Sequence, residues 1–178
     1  YGFVDFLVET RQKLWQILLL GPAGSGNSPY QCFSAFAGNP LLIDLSMLAE
    51  EKLLESTVLS SVPKFSKKEI EFEKIESWKM PLLKQCFGVF NSQKKVEYEV
   101  EYWRFLDEHG WWLNDHALFI SARDYFGGLH WSEWDRGIKF RESAALNDLS
   151  KKLEMQIAFE KFVQFMFFRQ WHRLKGYA

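Results

Sequence analysis

The sequence predicts a predominantly α-helical chain that is a fragment of an α/β protein. Two observations carry this. Leu14 to Leu20 is a nearly continuous apolar run closed by Gly21-Pro22, the pattern of a strand buried on both faces of a parallel sheet. From Glu69 onward the apolar residues recur at helical spacing instead. One strand cannot form a sheet, because strand edges need partners. The partner strands are therefore expected outside these 178 residues. The ends point the same way. The chain starts without Met inside the apolar pattern Phe3, Val4, Phe6, Leu7, and stops at Lys175 to Ala178 straight after a helical pattern, as a segment of a longer protein would.

The elements follow in order. Phe3, Phe6 and Leu7, with Leu14 just beyond, suggest a short amphipathic helix over 2–13. After the strand, Gly21 to Pro40 holds four Gly and three Pro and reads as loop and tight turns. Leu45 to Leu54 is a short helix, and Ser56 to Lys68 is polar and Pro-interrupted. Glu69 to Phe90 is helical through Ile70, Phe72, Ile75, Trp78, Leu82, Leu83 and Phe87, with Pro81 expected to kink or restart it. Val96 to Leu106 places Val96, Val100 and Trp103 on one side. A separate helix is expected over Trp111 to Phe126, ended by Gly127-Gly128, with His109-Gly110 closing the helix before it. Leu129 to Arg141 reads as a Trp-bearing loop. Glu142 to Tyr177 is one long or two abutting helices with Leu149, Leu153, Ile157, Phe162, Phe165, Phe168, Trp171 and Leu174 on a stripe.

Composition excludes several classes. With 47% hydrophobic and 25% charged residues the chain can bury a core and is not disordered. A net charge of −1 gives no electrostatic reason to bind nucleic acid or an anionic membrane. The longest apolar runs, Ile17 to Leu20 and Phe165 to Phe168, are too short to span a bilayer, and no signal-peptide pattern precedes Asp5. Cys32 and Cys86 make no disulfide framework, and no C-x-x-C or His cluster points to zinc, so no metal is expected. A reducing compartment fits: the cytoplasm, or a plastid in a plant or alga.

The strand-to-loop junction is the candidate site, because a rigid strand aims the loop that follows it. Gly21 to Ser28, GPAGSGNS, nearly fits a phosphate loop. Asn27 stands where that motif needs Lys, and a neutral amide cannot offset phosphate charge. Pro29 then removes one of the amide donors expected at a helix start. Ser28, Tyr30 and Gln31 offer a hydroxyl, a phenol and an amide, the groups that pair with sugar hydroxyls while aromatic faces cover sugar C–H surfaces. From the residues alone, Tyr30 serves equally as a packing residue under the loop. Phe33 and Phe36 read as anchors to the core, Asn39-Pro40 as a turn, and Trp111, Trp112, Trp131 and Trp134 as core rather than a carbohydrate platform. Asp115-His116 reads as a charged helix face, since adjacent helical residues point apart.

The run Leu14 to Ile43, LWQILLLGPAGSGNSPYQCFSAFAGNPLLI, closely resembles the start of the catalytic barrel in the 4-alpha-glucanotransferases of glycoside hydrolase family 77, the amylomaltases or disproportionating enzymes. The resemblance continues through Trp112-Leu113, Asp115, Ala117-Leu118-Phe119, Trp131, Trp134, Phe165 and Phe167 to Trp171. It implies a (β/α)₈ barrel, with Leu14 to Leu20 as its first strand, residues 1–44 as its start and 45–178 as a mostly helical insertion leading back to it. It implies transfer of α-1,4-glucan segments by a retaining double displacement between two carboxylates, without a cofactor. The catalytic carboxylates of the family lie on later strands, so no catalytic residue is assigned here. Tyr30 matches the tyrosine lining the sugar subsite beside the scissile bond. Ser28 and Gln31 match loop positions at or behind the acceptor and donor subsites, and Asn27 sits where the family has Asn or Asp. The partners implied are malto-oligosaccharide and the rest of the parent barrel. Leu19, Ala23 and Ser25 depart from the usual Pro, Thr and Tyr. The Tyr replaced by Ser25 makes a secondary glucan contact in some members. Two other classes stay open on the residues: a noncatalytic carbohydrate-binding or helical interaction module, and a degenerate nucleotide-binding loop.

Overall fold

The computed structural model describes every residue except Pro29, Lys94 and Lys95. Seven α-helices are formed among them: α1 (Gly2–Glu9), α2 (Leu45–Glu50), α3 (Phe72–Gln93), α4 (Val96–Tyr125), α5 (Arg136–Lys139), α6 (Ser143–Lys152) and α7 (Glu154–Tyr177). The chain divides into two compact units, 1–89 with 164–178, and 90–163, and the division falls within α3 and α7.

No strand forms among the described residues; the one β-bridge pairs Ala23 with Cys32 in antiparallel sense. Leu14 to Leu20 is without regular structure and is not buried on two faces. Leu14 is 91% exposed and Leu19 61%. The reason is that no second strand is present to complete a ladder, and isolated strands do not hold themselves.

In the first unit, α2 begins where Asp44 caps it: its carboxylate accepts from the Ser46 amide at 2.7 Å and the Ser46 hydroxyl at 2.6 Å. Burial alone would raise the Asp44 carboxyl; these bonds outweigh it and, with Lys79 nearby, hold it below the usual carboxylate range. α3 runs without a restart through Pro81. The buried stretch of α7 here reads Gln164, Phe165, Met166, Phe167. Farther along, Arg169 and Arg173 both reach Glu51, at 2.8 and 2.7 Å, a shared carboxylate that ties the residues after α2 to the helix.

In the second unit, α4 is one helix of 30 residues, not two. His109-Gly110 does not end a helix, because Gly110 keeps helical backbone angles and a single Gly costs only about 1 kcal/mol in a helix interior. The terminator is Gly127-Gly128, where φ is +67° and +81°, left-handed torsions that close a helix and that glycine adopts without strain. Val100 and Trp103 do share a face of α4, but that face is exposed. Trp112 and Trp134 are core, whereas Trp111 and Trp131 are exposed, so the four tryptophans do not act alike. Trp134 stacks on Phe126 at 5.3 Å and sits with Ala122, Leu149 and Leu153 in one cluster. The Leu129 to Arg141 segment is not plain loop: it contains a single 3-10 turn at Trp131–Glu133 and then α5. α6 and α7 abut at Leu153. Of the predicted stripe, Leu149, Leu153, Phe162 and Phe165 are buried, while Phe168, Trp171 and Leu174 are half-buried.

Asp115 and His116 split. Asp115 pairs with Arg141 in solvent at 2.8 Å, but His116 is buried rather than part of a charged face. Burial, with Arg123 adding to it, pushes the imidazole down to about 4. The unfolded histidine binds its proton near pH 6.5, so protonation favours the unfolded chain. The stability this group contributes is complete above pH 6.5 and is lost as the pH falls toward 4. A His116→Leu variant is therefore expected to flatten the pH dependence of unfolding between pH 6.5 and 4, by up to about 3 kcal/mol over that window. Chemical denaturation at pH 7, 5.5 and 4.5 measures it; parallel curves for the two proteins would contradict the assignment.

Candidate functional site

The loop from Gly21 to Gly38 leaves and returns through one neck, where the Asn39 amide donates to the Leu20 carbonyl at 2.7 Å. Beyond the neck the loop is a small twisted hairpin. Phe33 N–H donates to Pro22 O at 3.3 Å and Gly24 N–H to Gln31 O at 2.6 Å, flanking the Ala23–Cys32 bridge. A Cβ on Gly24 would lie 2.8 Å from the Gln31 carbonyl, so the two arms approach as only glycine permits. The tip is a 3-10 turn over Ser25–Asn27 in which Gly26 and Asn27 take φ of +80° and +55°. Ser28 then accepts from the Tyr30 amide through its hydroxyl at 3.3 Å, and its carbonyl accepts from Gln31 N–H at 3.1 Å.

The structure brings the four sequence-predicted residues together on this hairpin end. Tyr30 is 73% exposed, so the phenol does not pack beneath the loop. Asn27 and Gln31 are exposed and Ser28 is half-buried. Pro29, part of the argument against a phosphate loop, lies outside the described residues, as does the side chain of Ser25. The turn holding Gly26 and Asn27 does not lead into an α-helix: extended backbone follows at Ser28, so no helix N-terminus is there to receive a phosphate.

Phe33 and Phe36 are not core anchors: they are 42% and 52% exposed. The pinning is done by polar residues: three side chains from α3 and α7, and Asn39, which forms the turn expected at Asn39-Pro40. Gln164, fully buried in α7, accepts from the Gly38 amide at 2.8 Å and donates to the Gly38 carbonyl at 3.0 Å. Gln170, six residues on, does the same for Asp44, at 2.7 and 2.9 Å. Lys79 of α3 donates to the carbonyls of Leu41 and Ile43 at 2.6 and 2.7 Å. Burial lowers its pKa against the opposing pull of Asp44. Asn39 caps the turn over Pro40–Leu42 by accepting from Leu41 N–H at 2.9 Å. One signal for this clamp was available in the sequence: Gln164 is a lone amide in the apolar run FVQFMFF, and a buried amide must find partners.

Among the described residues no group of three His, Cys, Asp or Glu side chains could hold a metal ion, and no helix is long and apolar enough to cross a membrane. Neither cysteine forms a disulfide, and burial holds the Cys86 thiol up at about 11.

The profile of the 4-alpha-glucanotransferases, glycoside hydrolase family 77, matches residues 1–178, and the chain belongs to that family. It is 39% identical over 178 residues to the 4-alpha-glucanotransferase of Synechocystis, covering all of this chain and 35% of that protein. It is 41% identical over 176 residues to the enzyme of Thermus thermophilus, covering 99% of this chain and 34% of that one. The fold superposes on the amylomaltase of Streptococcus agalactiae, solved in complex with acarbose, with a TM-score of 0.93 and 35% identity, over 99% of this chain and 36% of the other. The chain thus spans about a third of the length of the relatives it matches.

Proposed function

We propose that residues 1–178 are the N-terminal third of a 4-alpha-glucanotransferase and supply part of its glucan site but not its catalytic carboxylates. The observation that carries this is family membership along the whole chain, joined to a hydrogen-bonded hairpin that exposes Tyr30, Gln31 and Asn27 with Ser28 half-buried among them. In this reading Leu14 to Leu20 is the first strand of a (β/α)₈ barrel. Its exposed apolar side chains suit a segment whose ladder partners come from the rest of the parent protein. Residues 1–44 are then the start of the barrel, and 45–178 a helical insertion leading back to it.

The activity proposed is transfer of an α-1,4-glucan segment between malto-oligosaccharides. An Asp nucleophile of the parent barrel displaces the leaving sugar with help from a Glu acid, giving a covalent glycosyl-enzyme. The 4-hydroxyl of an acceptor sugar then attacks with the same Glu as base, and two inversions give net retention. Tyr30 sits beside the scissile bond in this account. A phenol suits that place, covering a sugar face with its ring and pairing with a hydroxyl through its oxygen. Ser28, Gln31 and Asn27 offer further hydroxyl partners. Ser25 in place of the family's Tyr removes an aromatic surface, so a secondary glucan contact at that position is not expected. A reducing compartment, the cytoplasm or a plastid, suits this enzyme.

The test is maltotriose alone with the whole enzyme. Glucose and maltopentaose should appear together without any nucleotide. Hydrolysis to maltose and glucose with no longer product would contradict the transferase reading. Calorimetric ATP binding with no action on maltotriose would instead favour the phosphate-loop alternative.

A further inference from the structure

We propose that Gln164 and Gln170 of α7 are positioning residues that fix the pose of Tyr30 from a distance, by clamping the two ends of the segment at the loop's neck. The proposal rests on the glucan reading above. Gln164 is the only polar residue in the run Phe162 to Phe168, where an apolar side chain would pack without any amide to satisfy. An amide placed there is worth its burial only if both its oxygen and its nitrogen are paired. Both are paired with the same peptide, Gly38, in the two-bond pattern that opposed strand residues use. Gln170 repeats the pattern on Asp44.

The geometry carries this constraint outward. Gly38 is next to Asn39, whose amide closes the neck on Leu20. From the neck the chain enters the Pro22–Phe33 and Gly24–Gln31 hydrogen bonds, and Tyr30 follows directly at their end. These bonds tie the two arms of the hairpin to the neck, so a shift at Gly38 is passed along them toward the backbone that carries Tyr30. Neither glutamine needs to touch sugar to do this.

A double-mutant cycle in the whole enzyme separates positioning from simple support. Gln164→Met keeps the volume and removes both bonds. With Tyr30 present it should lower kcat/KM on maltotriose about 10-fold or more, and in a Tyr30→Ala background less than about 2-fold, because the residue it aims is gone. Equal fold-losses in the two backgrounds, or no loss in either, would overturn the proposal. If Gln164→Met does not fold, Gln170→Met takes its place in the same cycle and the same criterion decides. A wild-type enzyme that fails to disproportionate maltotriose at all would remove the glucan reading and this proposal together, an outcome distinct from equal losses in an active enzyme.

Discussion

Gly38→Ala is expected to be among the most damaging single-methyl changes in the chain. A Cβ at Gly38 would lie 2.0 Å from the Phe167 ring, far inside contact distance. Neither side can retreat. Phe167 is buried in α7, and the Gly38 peptide is held on both its N–H and its C=O by Gln164. Relief requires breaking that pair, which leaves a buried amide unsatisfied, or pushing a buried ring off its rotamer. Overpacking of this kind costs about 3 kcal/mol, which for a domain of this size is a fall of roughly 10 °C in melting temperature. Gly88→Ala is the control. It lies inside α3 with nothing within 4 Å of the new methyl, and should be neutral or stabilising by up to about 1 kcal/mol. Thermal unfolding of the two variants checks both; a Gly38→Ala protein as stable as wild type would mean the neck is not held against α7 as described.

The second large effect separates chemistry from fold. Tyr30→Ala in the whole enzyme should lower kcat/KM for maltotriose on the order of 100-fold, equivalent to roughly 2.7 kcal/mol of transition-state binding. Tyr30 is 73% exposed on the hairpin, so removing its ring should change stability by less than about 0.5 kcal/mol. The paired measurement is transfer kinetics with chemical denaturation. Retained activity with a loss of stability would make Tyr30 a packing residue after all.

Which parts were legible in the sequence follows from what periodicity encodes. A 3.6-residue repeat shows that residues share a helix face, and it located α3, α6 and α7 well. It does not show which way that face looks: Val100 and Trp103 share a face of α4, and that face is exposed. Glycine is equally ambiguous. Gly127-Gly128 ends α4 with left-handed torsions, whereas Gly110 sits inside the same helix with ordinary ones, and the residue type alone does not distinguish them. The Leu14 to Leu20 run has strand composition, but a strand is defined by hydrogen bonds to a neighbour, and composition cannot supply the neighbour. The candidate sugar residues lie next to one another in the chain, so their grouping is visible without a fold. The lone amide Gln164 is visible too, but its partner is not, since Gln164 and Gly38 are 126 positions apart and meet only once the chain has folded.

In the proposed reading this chain contributes a glucan-binding wall while the reacting carboxylates stand elsewhere in the parent barrel. The most direct test is glucose release from maltotriose by purified residues 1–178, free of any whole enzyme. None is expected above the uncatalysed background. Steady glucose release by the 178-residue chain alone would show that it holds its own catalytic groups, and the assignment of those groups to the rest of the barrel would fall.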